Sequence, residues 1–345
     1  MTCRDPTGGS AARAVGSPTG RSRPGARAGG FTHAALLYHD EAERLGAVVD
    51  LLRAAARDAA PVHAAVPADI LRLARGRLTM PPPEVYETDM ADLGRNPARL
   101  IAAARSFADD HPGAARITCL WEPASTPRSP AEACELARHE ALCNLAFTGQ
   151  PVSILCLYAA ANLDDHLIRN AEQTHPAIIA GGHQQISPTY LGPGRFPAGC
   201  DDPLPDPRPS AQSLRFGQEL RPVRAFAARH ARSAGLAPDR ASDLILAVSE
   251  LAANTIAHSA SGGVIRAWSS STELICQMED AGHITDPLAG RRRQPADAYG
   301  GHGLWLVNQV CDLVETRSGP AGTTTRLHMR RPETPAARSR KPSGS

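Results

Sequence analysis

The stretch Leu246-Ala-Val-Ser-Glu-Leu-Ala-Ala-Asn-Thr-Ile-Ala-His-Ser259 sets apolar residues at helical spacing and places Glu250 and Asn254 one turn apart. Residues at that separation share a helix face, so both side chains can address one ligand. An Asn amide oxygen can complete the octahedral shell of a Mg²⁺ that also holds phosphate oxygens and waters. A carboxylate beside it can order a water or take a proton from an attacking hydroxyl. Taken alone, the pair reads more readily as an ordinary solvated helix face. The surrounding sequence has to decide.

Working outward, two strand patterns follow, Gly263–Ser269 and Glu273–Asp280, and the second ends in Asp280-Ala-Gly282. A carboxylate there can accept from the exocyclic amine of adenine, and a glycine lets backbone approach a base; both residues are also common in simple turns. Next comes Gly300-Gly301-His302-Gly303-Leu304, ahead of the apolar-periodic segment Trp305–Val314. Glycines opening a helix present free N–H groups and the positive dipole end to phosphates. Finally Gly322-Thr323-Thr324-Thr325 enters a last strand, where a hydroxyl can reach the base side of a nucleotide or merely close a hairpin. Arg291-Arg292-Arg293 lies between the Asp280 and Gly303 segments, suited to phosphates, to an acidic partner, or to plain solvation.

In this order the four segments resemble the N, G1, G2 and G3 elements of the GHKL (Bergerat-fold) ATPases. The wording of the 246–259 helix is similar to the anti-sigma serine/threonine kinases related to stage-II sporulation and general-stress regulators. The resemblance covers about residues 211–330. It implies ATP bound without a Walker A loop, with Mg²⁺ through Asn254 and adenine held at Asp280 and Gly282. It places Gly301, Gly303, Leu304 and Thr323 at the nucleotide and makes Glu250 the candidate catalytic base. One position departs from the pattern: the G1 element usually carries a second glycine where this chain has Ile284. Implied partners are a sigma factor, a STAS-type antagonist whose Ser or Thr is phosphorylated, and a second copy of the chain. A sensor histidine kinase would share the ATP fold but needs a phosphoacceptor histidine on a helix just upstream, and neither His139 nor His230 is so placed. A non-catalytic, partner-sequestering module is the other alternative, supported by Ile284.

The 345 residues allow two domains. Residues 1–30 and 332–345 are rich in Gly, Pro, Ser and Arg and are read as disordered tails; 192–210, with its prolines, reads as a linker between domains at 31–191 and 211–331. In the first domain helices alternate with strands: Glu41–Arg57, Val62–Val66, Asp69–Leu78, Glu84–Thr88, Pro97–Asp109, Arg116–Trp121, Pro130–Phe147 and Val152–Tyr158. That order predicts α/β architecture, a parallel sheet covered on both faces. The second domain reads as two helices, Ser213–Ser233 and Asp239–Ala257, then strands, a helix from Gly303, and strands near Asp312–Ser318 and Thr323–Met329. This is an α+β sandwich.

A net charge of +2 gives no electrostatic case for direct nucleic-acid binding. No run approaches the roughly 20 apolar residues of a membrane span, and no secretory signal is seen, so a cytoplasmic protein is expected. The 8 cysteines include no CxxC pair, so neither a disulfide framework nor a zinc site is expected. His33, His39, His63, His139, His175 and His183 match no standard metal spacing and read as surface, cap or core residues. There is no GxxxxGK[ST], which excludes a P-loop. The segments His33-Ala-Ala-Leu-Leu-Tyr38, Trp121-Glu122-Pro123, His139-Glu-Ala-Leu-Cys-Asn-Leu145, Cys156-Leu-Tyr158, Thr174-His-Pro176 and Gly181-Gly182 nonetheless resemble the MEDS sensory domain over about residues 31–190. That resemblance implies a RecA- or KaiC-like α/β sandwich, without a working P-loop, that receives a signal. Glu122 and His139 are candidates for lining its ligand pocket or for structural roles.

Overall fold

The computed structural model describes residues 30–125, 127–259, 261–293 and 301–332. Short apolar runs rich in β-branched residues and Leu form a seven-stranded sheet in the order β3-β2-β4-β5-β1-β6-β7. Its strands are β1 (Thr32–Tyr38), β2 (Val62–Ala65), β3 (Val85–Glu87), β4 (Ile117–Trp121), β5 (Val152–Ala159), β6 (Ala177–Ala180) and β7 (His183–Ile186). Every pairing is parallel except β6 with β7. Alternate residues of β1 serve two cores. Ala35 and Leu37 pack with α4 (Ala98–Asp109) and α5 (Pro130–Ala146), while Leu36 and Tyr38 pack with α1 (Glu41–Arg57) and α2 (Ala68–Gly76). This is the two-sided covering that the alternation of helices and strands predicts. The short α3 (Met90–Leu93) and α6 (Asp165–Thr174) complete this half, and the sequence reading assigns neither of them nor β6 and β7.

Helix α5 starts where local chemistry dictates. Ser129 Oγ accepts from Glu132 N at 3.3 Å, Glu132 Oε2 accepts from Ser129 N at 2.8 Å, and Pro130 takes the first helical position. Such a reciprocal cap satisfies two otherwise orphaned donors.

The second sheet is wholly antiparallel, ordered β11-β12-β10-β9-β8. Its strands are β8 (Gln212–Phe216), β9 (Gly263–Ser269), β10 (Glu273–Asp280), β11 (Leu313–Gly319) and β12 (Gly322–Arg330), with α7 (Leu220–Ser233), α8 (Pro238–His258) and α9 (Gly303–Val310) layered on them. One sequence expectation is corrected. Residues 213–216, read as the start of a helix, form β8 against β9, and the helix begins only at Leu220. The alternation Ser-Leu-Arg-Phe, with Phe216 buried and Gly217 following, is a strand and a break. Burial against the sheet overrides the helical propensity of the longer window.

Residues 192–210 contain no helix or strand, yet they are held on both sides. Arg138 pairs with Asp201 at 2.6 Å, Arg317 Nε donates to Asp202 O at 3.0 Å, and Arg326 donates to Pro205 O at 2.5 Å. Among the described residues no helix is long and apolar enough to cross a membrane, and Cys119, Cys134, Cys143, Cys156, Cys200, Cys276 and Cys311 are all free.

On β12, His328 lies between Glu273 at 3.1 Å and Glu315 at 2.9 Å. Burial pulls its pKa down, but hydrogen bonds to the two carboxylates outweigh burial and raise it to about 9. A raised folded-state value means the stabilisation is fully present below the unfolded value of 6.5 and is lost as pH rises through about 9. At about 1.4 kcal/mol per pH unit, the contribution is on the order of 3 kcal/mol. Urea unfolding of wild type should therefore weaken between those pH values. His328→Gln should flatten that dependence, and equal slopes in both proteins would refute it.

Candidate functional site

The buried face of α8, Leu244, Ala247, Val248, Leu251, Ala252 and Thr255, packs towards the sheet. Glu250 and Asn254 consequently lie on a half-exposed flank. Thr255, the residue after Asn254, donates from Oγ1 to Asp280 Oδ2 at 2.6 Å and ties the last turn of the helix to the end of β10. Asp280 Oδ1 accepts from Gly282 N at 2.7 Å, and Gly282 O accepts from Thr323 Oγ1 at 2.8 Å. Thr323 faces Ser318 Oγ at 2.6 Å, which accepts from Ile284 N at 2.8 Å. A continuous hydrogen-bonded chain thus runs from α8 through the end of β10 to the β11–β12 hairpin. The Ile284 position is held by its backbone N–H, a contact that does not depend on its side chain.

Two glycines lie at close approaches. A Cβ at Gly303 would fall 2.7 Å from Glu250 Oε2 and 3.5 Å from Asn254 Nδ2, so α9 begins directly against those side chains and a larger residue would push the Glu250 carboxylate aside. At Gly322, with φ +129°, a Cβ would fall 2.3 Å from Asp280 O. Gly301 also adopts a left-handed φ of +81° just before α9. Leu304, in the first turn of α9, is half-buried and packs against Gly290.

The structure therefore brings Glu250, Asn254 and Gly303 together, and links Asp280, Gly282 and Thr323 to them through Thr255. Gly300 lies outside the described residues. Thr255 was missed in the sequence. Its only signal was adjacency to Asn254 on the sheet-facing side of the helix.

Within the arginine run, Arg291 is not solvated, whereas Arg292 is half-exposed and Arg293 exposed. Arg291 is buried and donates to Glu135 Oε2 on α5 at 3.1 Å, in the other half of the chain. Arg317 of β11 donates to Glu135 Oε1 at 2.9 Å. Arg292 pairs with Asp286 at 2.7 Å, and Arg293 lies 5.5 Å over the Trp305 ring. Leu288, from the same segment, joins the core of the first domain. Asn96 Nδ2 donates to Asn308 O on α9 at 3.0 Å, and Asn308 Nδ2 donates to Gly290 O at 3.0 Å. The acidic partner that Arg291 finds is thus the chain's own first domain.

In the first domain, Glu122 accepts from Tyr38 OH at 2.5 Å and pairs with Arg44, all three being buried. Burial, with this carboxylate, pushes the Tyr38 phenol above its ordinary pKa. His139 has no exposure, and burial lowers its pKa to about 3.

A layer of helices on an antiparallel sheet, with a carboxylate, an amide and a glycine-led helix start gathered together, defines a helix-on-sheet domain with a polar cluster at one end. Comparison with known families supports that class and adds a second. Residues 217–329 match the family described as histidine kinase-like ATPase domain, and residues 32–176 match MEDS, the methanogen/methylotroph DcmR sensory domain. The chain joins a MEDS domain to a histidine kinase-like ATPase domain, as the sequence resemblances imply.

Among solved structures, the RsbU and RsbW domains of Rv1364c from Mycobacterium tuberculosis align at 20% identity and a TM-score of 0.27, over 36% of this chain and 34% of that one. A second solved structure, described as an ATPase domain, aligns at 13% identity and a TM-score of 0.27, over 44% of this chain and 69% of that one. This chain thus spans about a third of the length of the first structure. No curated protein matches it.

Proposed function

We propose that the chain is a signal-responsive anti-sigma regulator whose second domain binds Mg-ATP and phosphorylates a Ser or Thr of a STAS-type antagonist, while sequestering a sigma factor. The observation that carries the reading is the meeting of Glu250 and Asn254 with Gly303, beside the hydrogen-bonded set Thr255, Asp280, Gly282 and Thr323. The residues fit the ligand. A carboxylate offers about four lone-pair sites, and Asp280 spends one on Thr255 and one on Gly282, leaving capacity for an exocyclic amine. Gly303 brings the start of α9 directly against Glu250 and Asn254, where a larger side chain would displace the Glu250 carboxylate.

Mg-ATP, when bound, supplies the phosphoryl group and its charge neutralisation. Asn254 would offer its amide oxygen to the cation. The N-terminus of α9, opened by Gly301 and Gly303, would direct N–H groups at phosphate oxygens. Glu250 would hold or deprotonate the attacking hydroxyl. The RecA- or KaiC-like first domain would receive the signal. A histidine kinase reading is disfavoured because His139 is fully enclosed, and His230 sits within α7 against the Phe226 ring, 4.4 Å between centroids. Ile284 in place of a glycine favours, as a second reading, a module that binds without transferring phosphate.

The test is Mg-ATP titration of the full chain by calorimetry, followed by transfer from γ-labelled ATP to a STAS-type protein. Asn254→Ala should weaken Mg-ATP binding about 10- to 100-fold, the range for losing a charge-assisted contact. Tight binding without transfer would select the binding-only module. A folded wild type that binds no nucleotide would reject both.

A further inference from the structure

Four side chains from separate elements meet inside the first domain. They are His33 on β1, Glu140 on α5, Cys156 on β5 and His175 immediately after α6, and His33, Glu140, Cys156 and His175 are all buried. Glu140 Oε2 lies 3.1 Å from His33 Nε2, 3.5 Å from His175 Nε2 and 3.6 Å from Cys156 Sγ. Cys156 Sγ is 3.8 Å from His33 Nε2, and one ligand atom from each residue falls within 4.8 Å of all the others. Tetrahedral zinc, with bonds of about 2.0–2.2 Å to nitrogen or oxygen and about 2.3 Å to sulfur, places its ligand atoms roughly 3.3–3.6 Å apart. The cluster already has nearly those dimensions.

The surrounding hydrogen bonds aim the ligands. His33 Nδ1 faces Asn144 Oδ1 at 3.1 Å, and the Asn144 amide nitrogen donates to Glu140 O at 3.1 Å and Thr174 O at 2.7 Å, which fixes its orientation. His175 Nδ1 faces Ala171 O at 2.8 Å. Both Nδ1 atoms therefore donate to oxygen acceptors, and both Nε2 atoms converge on Glu140 Oε2. The other carboxylate oxygen accepts from Tyr158 OH at 2.9 Å. Imidazoles that bind metals are oriented by this kind of outer contact. Among the described residues His175 Nε2 finds no hydrogen-bond partner although it is buried. A small cleft lined by Ala137, Leu167, Asn170 and Thr174 borders Glu140 and Tyr158.

We propose that His33, Glu140, Cys156 and His175 form a binding site for one divalent transition cation of borderline softness, zinc by preference. Two imidazoles, a thiolate and a carboxylate are a donor set that suits zinc, and four protein ligands leave no open position for catalysis. Binding releases the Cys156 thiol proton to solvent as the sulfur–metal bond forms. The site would hold β1, β5, α5 and the end of α6 together. It is independent of the nucleotide site.

The test uses the full chain. Metal content is read by elemental analysis after purification, then after chelation and reloading with zinc, and cobalt is added as a spectroscopic probe. The expected result is one zinc per chain and a thiolate-to-cobalt charge-transfer band. Cys156→Ser should abolish the band. His175→Ala and Cys156→Ser should each lower zinc affinity at least tenfold, whereas Cys276→Ser, a buried cysteine in the second domain, should change neither readout. Should His175→Ala fail to fold, the near-isosteric Cys156→Ser decides alone. A folded wild type that takes up neither zinc nor cobalt would overturn the proposal, as would a cobalt band that survives in Cys156→Ser.

Discussion

Replacing Glu135 with alanine is expected to destabilise the protein by about 3–5 kcal/mol and to loosen the contact between its two halves. Glu135 is buried and is the common partner of Arg291, Arg317 and, at 3.5 Å, Arg138. Removing it leaves the Arg291 and Arg317 guanidinium groups without their paired carboxylate, while Arg138 keeps Asp201, and breaking a buried pair from one side costs about that much. Denaturant unfolding gives the magnitude, and limited proteolysis shows where the chain opens. Glu135→Gln keeps the shape and part of the hydrogen bonding and should cost less. A loss below about 1 kcal/mol for alanine would show the cluster to be energetically idle.

The consequence reaches the proposed nucleotide site. Arg291 belongs to the segment between Asp280 and Gly303, and Gly290 beside it is bonded to Asn308 on α9. Glu135 shares α5 with Glu140, so a change in the first domain has a rigid element through which to act on this segment. Mg-ATP affinity measured in Glu135→Ala reads that coupling directly.

The second large effect is expected at Asp280. Asp280→Ala should weaken Mg-ATP binding by about 1.5–3 kcal/mol, roughly 10- to 150-fold in Kd. The substitution removes the acceptor proposed for adenine and also the bonds from Thr255 and Gly282 that tie α8 to β10. Thr255→Val separates the two effects, because it cuts the tie while keeping the carboxylate. Calorimetry should give near-normal affinity for Thr255→Val and a large loss for Asp280→Ala. Equal losses in both would assign Asp280 a structural role, and unchanged binding in Asp280→Ala would remove it from the site.

Much of the second domain was legible because its signals are local. The 3.6-residue period of 246–258 and the alternation in 263–269 and 273–280 are visible in windows of a dozen residues. Glycines at 301 and 303 stood out because they open a helix, and the structure starts α9 at Gly303 with Gly301 in the left-handed region just before it. The β8 strand was misread because four residues carry too little pattern to outweigh the helix that follows. Arg291 was ambiguous for another reason. Its partner Glu135 lies 156 residues away, and no local pattern announces it.

The histidines show the limit most clearly. By spacing alone His33 and His175 match no metal motif, and the cysteines lack a paired signature. Parallel β1, β5 and β6 nevertheless lie side by side, so residues 123 apart, His33 on β1 and Cys156 on β5, come to 3.8 Å. A parallel sheet joins strands through long crossovers, so its interior ligands carry no short sequence period. The sequence by itself determined the secondary elements with strong periodicity and the presence of two halves of different architecture, and it nominated the residues proposed for the nucleotide. Only the tertiary structure decided which buried charges pair across the two halves and which donors converge in the first domain. Those outcomes depend on strand order and crossover path, quantities that no local run of side chains encodes.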